Sequence, residues 1–108
     1  MMTYNGRTER ILIRDISPSC SSRARGRAVY EVLQERVQQL GFARSIIISF
    51  DGVRFVSPSF LDETVVRLVE DHPEFSGRIT LEGLSELAAN GLNTVLRTRK
   101  LIGDILVA

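Results

Sequence analysis

The sequence has few of the residues on which disulfide-rich and metal-binding proteins depend. Of its 108 residues, one is cysteine, one is histidine and none is tryptophan. Cys20 alone cannot build a disulfide framework or a thiolate metal site, and no cluster of potential metal ligands accompanies it. We therefore expect neither a metal nor another cofactor.

Long hydrophobic runs and a charge excess of either sign are also absent. No apolar run approaches the roughly 20 residues that span a bilayer, and no secretory leader opens the chain, so we expect a cytoplasmic protein without a membrane anchor. The formal net charge of +1 argues against bulk attraction to nucleic acid. All 14 cationic side chains except Lys100 are arginine, whose guanidinium suits forked contacts with carboxylate or phosphate.

The composition is sufficient for one folded domain. Apolar residues make up 44% of the chain and charged residues 25%, which is too apolar for a disordered protein. Residues 1–8 are polar and contain glycine, so we predict a loose leader there and a single domain over residues 9–108.

Hydrophobic periodicity predicts strands and helices in alternation. The predicted strands cover residues 9–14, 46–50 and 78–82. Apolar residues at three- and four-residue intervals predict three helices: one that begins between Ser22 and Ala28 and ends at Gly41, one that ends near His72, and one over residues 84–95. The segment 101–107 either adds an edge strand or packs on the sheet.

This alternation predicts an α/β domain. Its sheet should be small, mixed or mostly parallel, and flanked by helices with right-handed crossovers. Residues 46–50 form a nearly continuous β-branched run, which is typical of a central strand covered on both faces.

The segment after this central strand is where sites usually lie in an α/β sheet. Two starts for the second helix agree with the sequence: Ser57 as N-cap with Pro58 in the first turn, or Ser59 as N-cap with Asp62 completing a capping box. Either start puts a serine hydroxyl at the positive end of a helix, which suits a bound anion or a phosphate on the serine itself. Ordinary capping explains the same residues, and from the residue types alone we favour it over an anion or phosphate site.

Residues 46–68 resemble the STAS-like family of small bacterial domains, relatives of the anti-sigma factor antagonists. The motifs that carry the resemblance are Asp51-Gly52-Val53, Ser57-Pro58-Ser59-Phe60 and Asp62-Glu63. The Ser22-Arg23 pair and Gly26 also fit the pattern of that family, with less specificity.

The resemblance implies a non-enzymatic regulatory module that binds a protein partner. In anti-sigma factor antagonists, a serine at the start of the second helix is phosphorylated by a kinase of the histidine-kinase-like ATPase superfamily. Ser59 matches that serine by position, and Ser57 is the second phosphorylation candidate. The expected partner is such an ATPase or another serine kinase. A homo-oligomer is also compatible with the sequence.

Docking would use the helix start and the loop before it. Phe55 and Phe60 are the expected apolar anchors, since aromatic side chains carry much interface energy, although core packing is an alternative that we favour more for Phe55 than for Phe60. Arg54 could steer an acidic partner or pair with phosphate, and Asp62 and Glu63 complete the expected partner-binding residues.

Two other functions also agree with the sequence. Arg23, Arg25 and Arg27 cluster at the start of the first helix and would form the anion site of a nucleotide- or nucleic-acid-binding module. A solvated helix face explains the same three arginines. A hydrolase would need Ser59 and His72 within hydrogen-bond reach, and no orienting acid is suggested by the sequence.

Overall fold

The computed structural model describes residues 8–40 and 45–108, which form one four-stranded sheet with helices. The strands lie in the order β1-β2-β3-β4, and each neighbouring pair is parallel. Their bounds are Thr8–Leu12 for β1, Ser45–Ser49 for β2, Ile79–Glu82 for β3 and Ile105–Val107 for β4. This confirms the predicted α/β class with a mostly parallel sheet. Thr8, which we assigned to the leader, begins β1.

A helix precedes each of the last three strands. The single turn α1, Ile13–Ile16, follows β1 directly, and α2 covers Arg23–Gln39. The helix α3 runs without interruption over residues 58–71 in three stretches, of which the middle one is π-helical: Pro58–Leu61, Asp62–Val66 and Arg67–Asp71. A 3₁₀ turn follows at Pro73–Phe75, and α4 covers Glu86–Thr98.

The three long helices pack side by side, with α3 touching both α2 and α4. Right-handed connections between consecutive neighbouring strands place all the connecting helices on the same side of a sheet, which accounts for this single layer. Gly26 of α2 is buried at the contact with α3, where an added methyl group would lie 2.9 Å from Cβ of Glu63.

The core lies between the helices and one face of the sheet. Ile46 and Ile48 of β2 are fully buried, while Ile47, on the opposite face, is partly exposed. The prediction that this strand is central is confirmed, because β2 pairs with β1 and β3. The prediction that it is covered on both faces is wrong for the face of Ile47, since the helix layer lies on the other side.

The structure decides between alternatives that the sequence left open for the start of α3 and for the last segment of the chain. Ser57 caps α3, so the first of the two predicted helix starts is correct. Segment 105–107 adds a parallel edge strand to its own sheet. The helix α2 ends at Gln39, and Gly41, which we expected to terminate it, lies outside the described residues. The α1 turn, the 3₁₀ turn and the π-helical stretch were not predicted.

Candidate functional site

Three loops meet at the carboxyl end of the parallel sheet. They are residues 17–22 before α2, residues 50–57 before α3 and residues 83–85 before α4. The first two loops are joined by a parallel bridge between Cys20 and Val56 and by a 2.9 Å hydrogen bond from the Ser57 amide to the Cys20 carbonyl. The start of α3 is therefore held in place by a loop more than 30 residues earlier in the chain.

The two candidate serines differ in what their hydroxyl groups do. Oγ of Ser57 accepts a hydrogen bond of 3.0 Å from the Phe60 amide and so satisfies one of the free donors at the helix start. The Ser59 hydroxyl makes no hydrogen bond within the described part of the chain. Both side chains are partly exposed. Ser57 is thus a structural cap, whereas the Ser59 hydroxyl has no such role in the described part of the chain.

The two serines should respond differently to alanine. Ser57→Ala removes the N-cap acceptor and should lower the free energy of unfolding by about 1 kcal/mol. Ser59→Ala, which breaks no described hydrogen bond, should stay within about 0.5 kcal/mol of the wild type. Urea denaturation followed by circular dichroism measures both. Equal losses for the two variants would contradict this assignment of the cap.

An apolar groove lies between the loop before α3 and the first half of α4. It has a volume of about 370 Å³, and its lining includes Phe55, Val56, Pro58, Leu87 and Gly91. The Phe55 side chain is 57% exposed and that of Leu87 76% exposed. An added methyl group on Gly91 would lie 2.9 Å from Cγ of Pro58, so glycine permits α4 to approach the start of α3.

Of the two phenylalanines expected as anchors, the structure buries Phe60 and exposes Phe55, which reverses our preference for which of them packs in the core. Phe60 is fully buried and meets the ring of Phe50 edge-on, with ring centroids 6.4 Å apart. Phe60 therefore belongs to the core and is not available as an anchor for a partner. Phe55, for which we favoured core packing, lies on the surface because the extended loop before α3 turns its side chain out of the sheet-helix interface.

A second, polar pocket adjoins the apolar groove, and Phe55 lines both. Its volume is about 380 Å³, and it is formed by residues 18–21 together with Gly52, Arg54 and Phe55. The guanidinium of Arg14 reaches the same loop, since its Nη1 lies 3.2 Å from the position of a methyl group on Gly52. Cys20 forms the buried floor of this pocket.

The Cys20 thiol is held in its protonated form. Burial raises its pKa to about 11, although the positive charge of Arg25 lowers it in part. The thiolate is the reactive form of cysteine, so this thiol is inert near neutral pH. A redox function of Cys20 is therefore not supported.

Alkaline pH should destabilise the fold. The pKa of the Cys20 thiol is higher in the folded protein than in the unfolded chain. The buried thiol therefore contributes to stability below about pH 8.5, and this contribution is lost as the pH rises towards 11. Burial and the hydrogen bond to Asp71 also raise the pKa of Tyr30, which adds a loss at still higher pH. Thermal melts of the wild type should show the melting temperature falling from about pH 8.5 upward. Cys20→Ala should flatten the first part of that fall, and an unchanged profile in this variant would contradict the account.

The three arginines predicted to form an anion site do not act together. Nη1 of Arg23 lies 2.7 Å from Oε1 of Glu63 and 3.2 Å from Oδ2 of Asp62, and Arg27 lies 4.0 Å from Glu63. Arg25 has no ion-pair partner in residues 8–40 and 45–108 and lies near Cys20 instead. Two members of the cluster are thus neutralised by α3, which weighs against a nucleotide- or nucleic-acid-binding site there.

Asp62 and Glu63 join the helices rather than standing free at the surface. Besides Arg23 from α2, Asp62 binds Arg99 at the end of α4, whose Nε lies 2.8 Å from Oδ1. The carboxylates raise the pKa of Arg23 through hydrogen bonds from its guanidinium. These two acids were predicted to bind a partner, and in this structure their charges are taken by arginines of the same chain.

His72 and Ser59 lie at opposite ends of α3. Nε2 of His72 is 3.0 Å from Oε1 of Gln34, and the separation of 13 positions between Ser59 and His72 corresponds to about 20 Å of helix. The hydrolase arrangement of Ser59 and His72 is therefore excluded by geometry.

Two further features bear on cofactors and membranes. Within residues 8–40 and 45–108, no three side chains of His, Cys, Asp or Glu are grouped so that they could hold a metal ion. In the same residues no helix combines the length and the hydrophobicity needed to cross a bilayer.

The comparisons with known proteins support one family. Residues 26–87, more than half of the chain, match the model of the family described as "STAS-like domain of unknown function (DUF4325)". No curated protein and no solved structure matches the chain. The matched segment contains most of α2 and all of β2, α3 and β3, and with them both candidate serines and Phe55. The chain belongs to this family of STAS-like domains.

Proposed function

We propose that the chain is a non-enzymatic regulatory module, resembling an anti-sigma factor antagonist, that binds a protein partner at the carboxyl end of its sheet. The observation that supports this most strongly is the apolar groove flanked by the exposed side chains of Phe55 and Leu87. Large aromatic and aliphatic side chains around a concave apolar surface are typical anchors of protein–protein interfaces. Membership of the STAS-like family is consistent with such a module.

Phosphorylation of Ser59 is the proposed switch. The hydroxyl is partly exposed, has no hydrogen-bond partner in the described part of the chain, and is next to Pro58 in the wall of the groove. A phosphate would add a charge of about −2 beside the carboxylates of Asp62 and Glu63, one turn further along the helix. Bringing this negative charge into an interface requires desolvation, so binding weakens. The family resemblance favours a histidine-kinase-like ATPase as the kinase.

Site-specific photo-crosslinking tests the docking surface. A photoreactive amino acid at position 55, introduced into the protein in its native cells, should give a discrete crosslink to one partner protein. The same amino acid at Ile102, which is 60% exposed and precedes β4 at the other end of the sheet, is the matched control and should give none. Equal crosslinking at both positions, or none at position 55, would refute the docking surface.

Intact-mass spectrometry tests the switch. Protein incubated with ATP and the crosslinked partner should gain one phosphate. Ser59→Ala should abolish this gain, whereas Ser57→Ala, the matched control, should retain it. Phosphate on Ser57 alone would move the switch to the cap, and absence of any phosphate would remove the switch from the proposal.

A further inference from the structure

The polar pocket beside the apolar groove carries positive charge that the protein does not neutralise. Arg54 lines the pocket, Arg14 reaches the adjoining Gly52, and Arg25 is close enough to influence the thiol of Cys20 on its floor. None of these three guanidinium groups has an ion-pair partner in the described part of the chain.

Several other arginines are neutralised by the chain itself. On the helix layer, Arg23, Arg67 and Arg99 each lie within 4.0 Å of a carboxylate of the same chain. The lining of the pocket includes the serines Ser19 and Ser21 and, among the described residues, no acidic residue. Arginine next to hydroxyl groups is a favourable environment for a carboxylate, because both donate hydrogen bonds to it.

The two concave surfaces have one lining residue in common. Phe55 lines both the apolar groove and the polar pocket, and Arg54 is its neighbour in the chain. A single extended segment crossing Phe55 would therefore meet an apolar cleft on one side and unpaired guanidinium groups on the other.

We infer that the docking surface recognises a segment of a partner protein in which a large apolar side chain is followed closely by an acidic side chain. The apolar side chain lies in the groove between Phe55 and Leu87, and the carboxylate binds at Arg54 with Arg14 and Arg25 nearby. This inference rests on the proposed function and adds the chemistry of the partner.

Selection from a random-peptide display library on the immobilised full-length protein tests this pattern. Selected peptides should be enriched in Leu, Ile or Phe within a few residues of Asp or Glu. Repeating the selection on Arg54→Glu should remove the acidic preference and keep the apolar one. Arg36→Glu is the matched control, since it changes the net charge equally on the exposed surface of α2 and should leave the acidic preference intact.

Fluorescence anisotropy with one selected peptide gives the size of the effect. Arg54→Glu should weaken binding about tenfold or more, and the wild-type affinity should fall as salt is raised. Peptides selected for apolar residues alone would overturn the inference and leave the proposed docking surface standing. Selection of no peptide would also overturn it, while the crosslink at position 55 decides the proposed function separately. Dimerisation of the wild type that Arg54→Glu abolishes would assign the surface to a second copy and likewise overturn the inference.

Discussion

Phe60→Ala should lower the free energy of unfolding by about 3–5 kcal/mol, the largest loss expected from a single side-chain truncation here. Phe60 is fully buried, packs edge-on against Phe50 and begins the row of buried residues that continues with Thr64 and Leu68. Alanine would leave a cavity under the start of α3. Since small domains are stable by about 5–15 kcal/mol, this change would remove a large share of the total.

The control for this prediction is the other phenylalanine of the same segment. Phe55→Ala should change stability by no more than about 0.5 kcal/mol, because its side chain is 57% exposed. Chemical denaturation of both variants gives the comparison. A loss in Phe55→Ala as large as that in Phe60→Ala would contradict the placement of the two rings.

Gly83→Ala should be the most costly backbone substitution, with a loss of about 3 kcal/mol or more. Gly83 follows β3 with φ at +79°, in the left-handed region that side chains rarely adopt. An added methyl group would also lie 2.6 Å from the backbone nitrogen of Asp51 and 3.0 Å from the carbonyl carbon of Phe50. The loops that carry the candidate site would have to move apart.

Gly77→Ala separates the two causes of this loss. Gly77 has nearly the same angle, with φ at +76°, and a methyl group there would meet nothing within 4 Å. It should therefore show only the cost of the left-handed conformation, about 1 kcal/mol. Thermal or chemical unfolding of both variants measures the difference. Equal losses would show that the close approach of Gly83 to Asp51 has no energetic consequence.

The sequence was sufficient for the element order and the sheet. The β-branched run of β2 and the three- and four-residue spacing of the helices are local signals. Such signals placed β1, β2, β3 and the long helices near their observed positions, whereas β4 was one of two alternatives for its segment. Pro58 after Ser57 made the correct helix start one of the two that we considered, since proline is well tolerated in the first turn. The π-helical stretch of α3 could not be predicted, because its irregular turn depends on packing and on the Thr64 hydroxyl donating to the Phe60 carbonyl at 2.7 Å.

The candidate site was predicted only in part, although some of the missing information was present in the sequence. Phe60 stands four and eight residues before Thr64 and Leu68, a spacing that places it on the buried face of the helix. Leu87 is one of the apolar residues from which the helix over residues 84–95 was predicted. It stands five positions before the buried Leu92, which at about 100° per residue puts it some 140° around the helix, facing outward.

Contacts between distant segments explain what no local pattern could show. Arg23 reaches Asp62 and Glu63 across about 40 residues of sequence. In the sequence, three neighbouring arginines therefore looked like one anion site. In the structure, Arg23 and Arg27 face the acids of α3, whereas Arg25 lies near Cys20. The unpaired set of Arg14, Arg25 and Arg54 comes from three separate segments and becomes visible only when the loops at the end of the sheet are brought together.

The most direct test of the central claim is the affinity of the crosslinked partner for protein carrying genetically encoded phosphoserine at position 59. The account predicts binding at least about tenfold weaker than to the unmodified protein, because the phosphate adds negative charge beside the groove. Phosphoserine introduced in place of Gln38, an exposed residue near the end of α2, should leave the affinity unchanged. Equal affinity of the partner for the protein phosphorylated at position 59 and for the unmodified protein would contradict the claim that Ser59 controls docking.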